Sequence, residues 1–319
     1  MTGGAGFIGS HLAEALLKEG SDVLVIDDLS TGDRRNLSSC QGDPSFRLME
    51  GDLRSAREAK EAVEGRDLVF HLAGNAGVEI GSTDTRIDFE RNITATQNLL
   101  EAMKDSHSCK RVVFASTSTV YGEPSLIPTP EDYGPLAPIS LYGSSKLAAE
   151  ALISGYSQMF GFGSAILRLA NIIGPRNGHG VVSDFVGKLL LDPKRLEVLG
   201  DGTQNKSYLF VDDCVQAFML ASKTLHDGVE FYNVGSDDST EVRRIASAVG
   251  EEMGLRDVEL VFANGQEDGR GWKGDVREML LDTSKLKSIG WRPSCNSEDA
   301  VRMTTRSLLR DRAVEIAAR

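Results

Sequence analysis

The sequence predicts an α/β protein, a doubly wound parallel sheet followed by a smaller C-terminal lobe. Three observations predict it. Short β-branched runs alternate with longer segments whose apolar residues recur at helical spacing. A glycine-rich loop, Thr2-Gly3-Gly4-Ala5-Gly6-Phe7-Ile8-Gly9, runs into the first helical segment. Tyr142 and Lys146 stand one helical turn apart in Tyr-Gly-Ser-Ser-Lys.

In chain order, residues 7–19 read as a helix leaving the glycine loop, and Val23–Asp27 as an apolar strand closed by a carboxylate. A helix over 54–64, a strand over 67–71, a helix over 89–104 and a strand over 111–115 continue the alternation. The segment 141–159 carries Ala148, Ala151, Leu152, Tyr156 and Met159 as an apolar stripe, and 165–168 is the next strand. Such alternation builds βαβ units and a parallel sheet covered on both faces. After Gly174-Pro175-Arg176-Asn177-Gly178 the rhythm breaks into a loop-rich remainder with helices over 211–222, 241–253 and 297–309. The expected division is residues 1–173 as a dinucleotide-binding (Rossmann) domain, with 206–234 returning to it, and 174–319 mainly as a substrate lobe. That lobe is expected over the carboxyl edge of the sheet, where open α/β sheets bind ligands.

Composition narrows the function classes. Hydrophobic residues make up 40% and charged residues 26% of 319, as in ordinary globular proteins. A net charge of -12 argues against nucleic acid or anionic membranes as partners. Cys40, Cys109, Cys214 and Cys295 are far apart and form neither a disulfide framework nor a zinc motif. The histidines show no ligand spacing, so no metal is expected. No apolar run approaches the ~20 residues of a spanning helix, which points to a cytoplasmic protein.

Gly4-x-Gly6-x-x-Gly9 fits the dinucleotide fingerprint, and Gly3-x-x-Gly6-x-x-Gly9 fits its short-chain-dehydrogenase variant. Glycines there let backbone N–H groups approach a pyrophosphate at a helix N-terminus. Asp27, at the end of the following strand, suits ribose hydroxyls and repels a 2′-phosphate, which favours NAD over NADP. Asp52, in Gly51-Asp52-Leu53, is placed to reach the adenine. His71-Leu72-Ala73-Gly74 supplies small residues for a wall beside the cofactor. The Tyr142/Lys146 pair adds the chemistry. An ammonium one turn away favours phenolate, and lowering a phenol by three pKa units takes about 4 kcal/mol of differential stabilisation. Next to a nucleotide loop the pair reads as a base beside a hydride acceptor.

With these motifs on the page, the chain resembles the extended short-chain dehydrogenase/reductase superfamily, and within it the UDP-glucose (UDP-galactose) 4-epimerases of the archaeal type. Further carriers are Ile26-Asp27-Asp28-Leu29, Ser116-Thr117-Ser118-Thr119-Val120-Tyr121-Gly122, Arg168-Leu169-Ala170-Asn171 and Arg270-Gly271-Trp272-Lys273-Gly274-Asp275. The resemblance implies Tyr142 as the base at the sugar's C4 hydroxyl and Lys146 on the nicotinamide ribose. It implies Thr117 as the hydroxyl bonding the reacting oxygen. It places Gly3, Gly6, Phe7, Ile8, Gly9, Asp27, Asp28, Asp52, Leu53, Leu72, Ala73, Gly74, Asn92 and Ser116 around NAD. Asn171, Val181, Lys206 and Arg270 are the implied contacts to a UDP-sugar, with Lys273 as an alternative to Arg270 at the diphosphate. Met279 falls near the family's gate for N-acetyl sugars. Relatives pair two helices per subunit, so a homodimer through 89–104 and 141–159 is expected, using Ile93, Leu100, Met103, Leu152 and Met159. Related dehydratases and decarboxylases carry acidic residues where Ser118 and Thr119 stand, which leaves epimerisation as the reading. A catalytically silent NAD-binding protein would be expected to lack the Tyr/Lys pair.

One expectation concerns the start of the chain. In this fold the glycine loop follows a central strand, which the sequence beginning at Met1 does not contain. Each buried backbone group left unpaired costs about 1–3 kcal/mol, against a typical stability of about 5–15 kcal/mol. The first strand is therefore expected to be missing by truncation, with a valine codon read as a start codon, and the chain to be poorly soluble or free of cofactor.

Overall fold

The computed structural model describes residues 1–77, 80–263, 269–272 and 274–317. The N-terminal part runs α1 (Phe7–Lys18), β1 (Val23–Asp27), β2 (Phe46–Glu50), α2 (Ala56–Val63), β3 (Val69–His71), α3 (Ile80–Thr83) and α4 (Thr85–Asp88). A π-helical segment, Phe89–Thr94, leads into α5 (Ala95–Asp105), followed by β4 (Arg111–Thr117), α6 (Leu141–Phe160) and β5 (Gly163–Leu169). The remainder holds β6 (Asn171–Ile173), α7 (Val181–Leu191), β7 (Arg195–Leu199), β8 (Asn205–Lys206), β9 (Tyr208–Phe210) and α8 (Val211–Lys223). Then come β10 (Gly228–Val234), β11 (Thr240–Glu241), α9 (Val242–Glu252), β12 (Glu259–Ala263), β13 (Glu278–Met279), α10 (Ser284–Ser288) and α11 (Ser297–Ala317).

The chain divides into two compact units. The first comprises Met1–Gly122, Gly134–Leu169 and Val215–Asn233. Its strands lie in the order β2-β1 and β3-β4-β5-β10, with β1/β2, β3/β4 and β4/β5 all parallel. Met1 and Thr2 lie between β1 and β3. Thr2 forms parallel bridges to Ile26 and His71, its N–H donates to Phe70 O at 2.9 Å, and Ile26 N–H donates to Met1 O at 2.9 Å. The glycine loop therefore leaves from the middle of the sheet.

Continuous burial along β5, and along β4 after the exposed Arg111, follows from their apolar runs and from helices on the sheet. Leu99, Leu100 and Met103 of α5 and Ile153 of α6 pack with Val112, Phe114 and Ile166 in one core; Ala13 of α1 packs with Val23 and Val25 in another. Leu100 and Met103, expected at a dimer surface, are 1% and 0% exposed, because that stripe of α5 serves the unit's own core. The helix expected over 89–104 begins instead with the π segment, which turns Asn92 inward.

The second unit comprises Glu123–Tyr133, Ala170–Cys214 and Val234–Arg319. It contains parallel pairs β6/β9 and β7/β12, and β8 lies between antiparallel β11 and parallel β13. Its helix α7, Val181–Leu191, falls in the remainder read as loop-rich and starts directly after Gly180. Among the described residues no helix is long and apolar enough to cross a membrane.

Candidate active site

The glycine loop of the first unit is shaped by backbone contact. A Cβ at Gly9 would lie 2.2 Å from Gly3 O and 2.8 Å from Gly4 Cα, and one at Gly3, whose φ is +68, would lie 2.6 Å from Ala73 N. Only glycine lets the loop pack there. Helix α1 then starts with neither a side-chain cap nor an acidic residue in its first turn. The N–H groups of Phe7, Ile8 and Gly9 at that helix end are therefore open to an anionic group such as a diphosphate. Leu72 and Ala73 donate backbone N–H bonds to the Thr2 hydroxyl at 3.2 and 3.1 Å, which ties the wall after β3 to the loop.

Asp27 is 8% exposed, accepts N–H bonds from Ala5 and Leu29 at 2.9 Å each, and is pushed upward in pKa by burial. Each carboxylate oxygen keeps a lone pair for a ribose hydroxyl. Asp28 accepts from Ser30. Asp52 is held by Arg54, whose guanidinium lies 2.6 Å away, and Leu53 is buried in the core.

Helix α6 is capped by Ser140, whose hydroxyl accepts from Gly143 N–H at 3.1 Å. That start places Tyr142 and Lys146 on successive turns of one face. The Lys146 ammonium, 5% exposed as a residue, donates to Ala115 O at 2.9 Å and lies 4.9 Å above the Phe114 ring. On β4 the Thr117 hydroxyl accepts from Thr119 N–H at 3.2 Å and lies 3.1 Å from the Thr119 hydroxyl. Ser116 instead turns its hydroxyl to Glu150, one turn beyond Lys146, and Glu150 pairs with Arg168 at 2.8 Å.

Burial pushes the Tyr142 phenol up to about 12, with the nearby Thr117 hydroxyl acting against it and Asp88 in the same direction. Burial likewise pushes Lys146 down to about 8, against the support of Glu150 and Asp88. The lowered phenol expected from Lys146 is therefore not found in the protein alone, because desolvation outweighs any help from the ammonium.

In the second unit, Lys206 pairs with the buried Asp275 at 2.5 Å and lies 5.6 Å from the Trp272 ring centre. Arg270 donates to Asp275 O at 2.8 Å and pairs with Glu123 at 2.6 Å. The two cations expected at a diphosphate thus converge on Asp275. The Asn171 amide donates to Ser207 O at 3.1 Å, beside Lys206. Val181 is half-buried at the start of α7. Lys273 lies outside the described residues.

Residues 1–235 match the NAD dependent epimerase/dehydratase family. The chain belongs to that family. This epimerase/dehydratase is 31% identical over 309 residues to a putative UDP-glucose 4-epimerase of Methanocaldococcus jannaschii, covering 95% of each chain. It is 30% identical over 313 residues to a UDP-glucuronate 4-epimerase of Thermodesulfobacterium geofontis, covering 95% of this chain and 94% of that one. Its structure matches the crystal structure of a UDP-galactose 4-epimerase with a TM-score of 0.85 at 39% identity, covering 97% and 98% of the two chains. The epimerase/dehydratase is therefore an enzyme similar to UDP-glucose 4-epimerases, and NAD is its cofactor. The uncapped α1 terminus, the glycine loop and the remaining lone pairs of the Asp27 carboxylate fit that cofactor.

Around Tyr142 and Lys146 the structure also gathers Asn75, Asp88 and Glu150, which belong to no motif, and Ser145, which lies inside Tyr-Gly-Ser-Ser-Lys without a role read from it. Of the first three, Glu150 alone carried a signal, one helical turn after Lys146.

Proposed function

We propose that the enzyme interconverts the C4 epimers of a UDP-hexose, UDP-glucose and UDP-galactose first, through a 4-keto sugar. The observation that carries this reading is the buried Lys146 one helical turn from Tyr142 on α6, its ammonium on Ala115 O at 2.9 Å near the end of β4, the strand that Thr117 closes. Bound NAD supplies the hydride acceptor for C4 and the donor that returns it, together with a positive ring. Tyr142 takes the proton of the C4 hydroxyl and returns it to the epimer, while Thr117 holds the reacting oxygen. Lys146 holds the nicotinamide ribose and keeps positive charge behind the phenol. Lys206, Arg270, Asn171 and Val181 hold the nucleotide part, with Met279 beside Lys206 in the β13/β8 register. Ser118 and Thr119 offer hydroxyls where elimination needs a carboxyl acid and base, which favours epimerisation over a lyase.

The enzyme is proposed to work as a homodimer through the exposed faces of the π segment and α6, where Phe89 is 60% and Met159 76% exposed. Its buried free cysteines suit a reducing compartment, and we place it in the cytoplasm. The test is incubation of NAD-loaded protein with UDP-glucose, UDP-N-acetylglucosamine and UDP-glucuronate separately, with NMR of the products. UDP-galactose from the first is the expected outcome. Turnover of only another sugar reassigns the substrate, and a 4-keto-6-deoxy or decarboxylated product contradicts the reading.

A further inference from the structure

Asp88 is a carboxylate that no motif announces. It ends α4 and is 2% exposed. Its Oδ1 accepts from the Asn75 amide at 2.9 Å and from the Asn92 amide at 3.4 Å. The Asn92 amide also donates to Ser145 Oγ at 2.8 Å, and its carbonyl accepts from Asn75 N–H at 2.8 Å. Ser145 is the neighbour of Lys146 on α6, and its hydroxyl returns to Tyr142 O at 2.8 Å. A Cβ at Gly74 would meet both Asn92 Oδ1, at 2.5 Å, and Lys146 Nζ, at 3.5 Å, so this network and the ammonium converge on one glycine. The other oxygen, Oδ2, is buried and has no hydrogen-bond partner among the described residues. A carboxylate half satisfied inside a protein is costly unless a positive charge accounts for it.

The geometry points to Asp88 as a positioning residue of the active site: an ionised carboxylate that orders Asn75 and Asn92 against α6 and provides the negative counter-charge to Lys146 behind Tyr142. This rests on reading Tyr142 and Lys146 as the reacting pair. The other charged groups on the packed elements are accounted for. On α6, Glu150 is tied to Arg168 and Ser116. Segment 80–83 of α3 holds no ionisable residue. At the end of β3, His71 is kept neutral by burial. On the same stretch as Asp88, Asp84, Arg86 and Glu90 are exposed, and Arg91 reaches Ser30. Burial raises the Asp88 pKa, with the Asn75 bond and the Lys146 charge acting against it; in its ionised form Asp88 raises the pKa of both Lys146 and Tyr142.

Asp88→Asn is a clean probe, because an amide oxygen can keep the Asn75 bond while its NH2 takes the position of Oδ2, where no donor is displaced. In the NAD-loaded protein the tyrosinate titration of Tyr142 is isolated by subtracting that of the Tyr142→Phe form. We expect D88N to move it about one pH unit lower, and to move the acidic limb of kcat/KM for epimerisation the same way. Asp88→Ala is expected to lower the melting temperature where D88N does not, since it strips the partners from Asn75 and Asn92. A titration and an acidic limb both unmoved in D88N overturn the proposal, as does D88A as stable as D88N. If the unaltered enzyme turns over no UDP-hexose, the functional reading fails while the titration still decides the role of Asp88. Should D88N fail to fold, carbon-13 titration of the Asp88 carboxyl in the unaltered protein decides it, and a carboxyl protonated at neutral pH overturns the proposal.

Discussion

At the scale of single residues, the site depends on charges held where water is scarce. Lys146 is ionised at a cost, since its pKa falls from 10.5 to about 8 on burial. The unfolded chain therefore binds this proton more tightly than the folded one. The penalty is fully present below about pH 8 and disappears as pH rises to about 10.5, so this group makes stability rise across that window. The total is about 3 kcal/mol. Lys146→Met should erase that rise in denaturant melts taken between pH 8 and 10.5, while losing activity and weakening NAD. An unchanged slope in the variant would show that Lys146 is not desolvated. Tyr142, Lys146 and Thr117 were legible because a pair at helical spacing and a hydroxyl in a family motif leave a trace in sequence. Asp88 and Asn75 were not, since side-chain hydrogen bonds between separate segments leave no period or spacing to read, and Ser145 lay inside the Tyr-Gly-Ser-Ser-Lys motif with its contact to Asn92 unforeseen.

At the scale of elements, β1, β3, β4 and β5 of the first unit were legible from β-branched runs, although β3 begins at Val69 instead of residue 67, and β10 went unseen. Val23–Asp27 agrees residue for residue, and β4 and β5 extend beyond the segments expected. β2 went unseen because Arg47 and Glu50 break up its apolar pattern. The π segment was read as ordinary helix, since one extra residue in a turn barely disturbs the spacing of its apolar residues. Helix–loop fit gives a prediction of opposite signs at two glycines. Gly9→Ala forces a Cβ to 2.2 Å from a carbonyl oxygen, so it should cost about 1–3 kcal/mol of stability and most NAD binding. Gly155→Ala, exposed on α6 with nothing within 4 Å in one subunit, should stabilise that subunit by about 0.5–1 kcal/mol through helix propensity. Thermal melts and NAD titration of the two variants check both signs.

At the scale of the whole molecule, the proposed dimer predicts a mass twice 34.5 kDa in light scattering at micromolar protein. Met159→Glu, on a side chain 76% exposed, should shift it toward monomer without unfolding the first unit. A monomer in the unaltered protein would remove the proposal. The central claim is that the half-buried phenol at position 142 carries the proton of a UDP-hexose. General acid–base groups contribute about 10²- to 10⁴-fold to rate, so the test is large enough to be unambiguous. The measurement is UDP-glucose to UDP-galactose interconversion by NAD-loaded Tyr142→Phe beside the unaltered enzyme. The account predicts that the variant keeps NAD and loses at least about 100-fold in rate, and near-native turnover by the variant would contradict it.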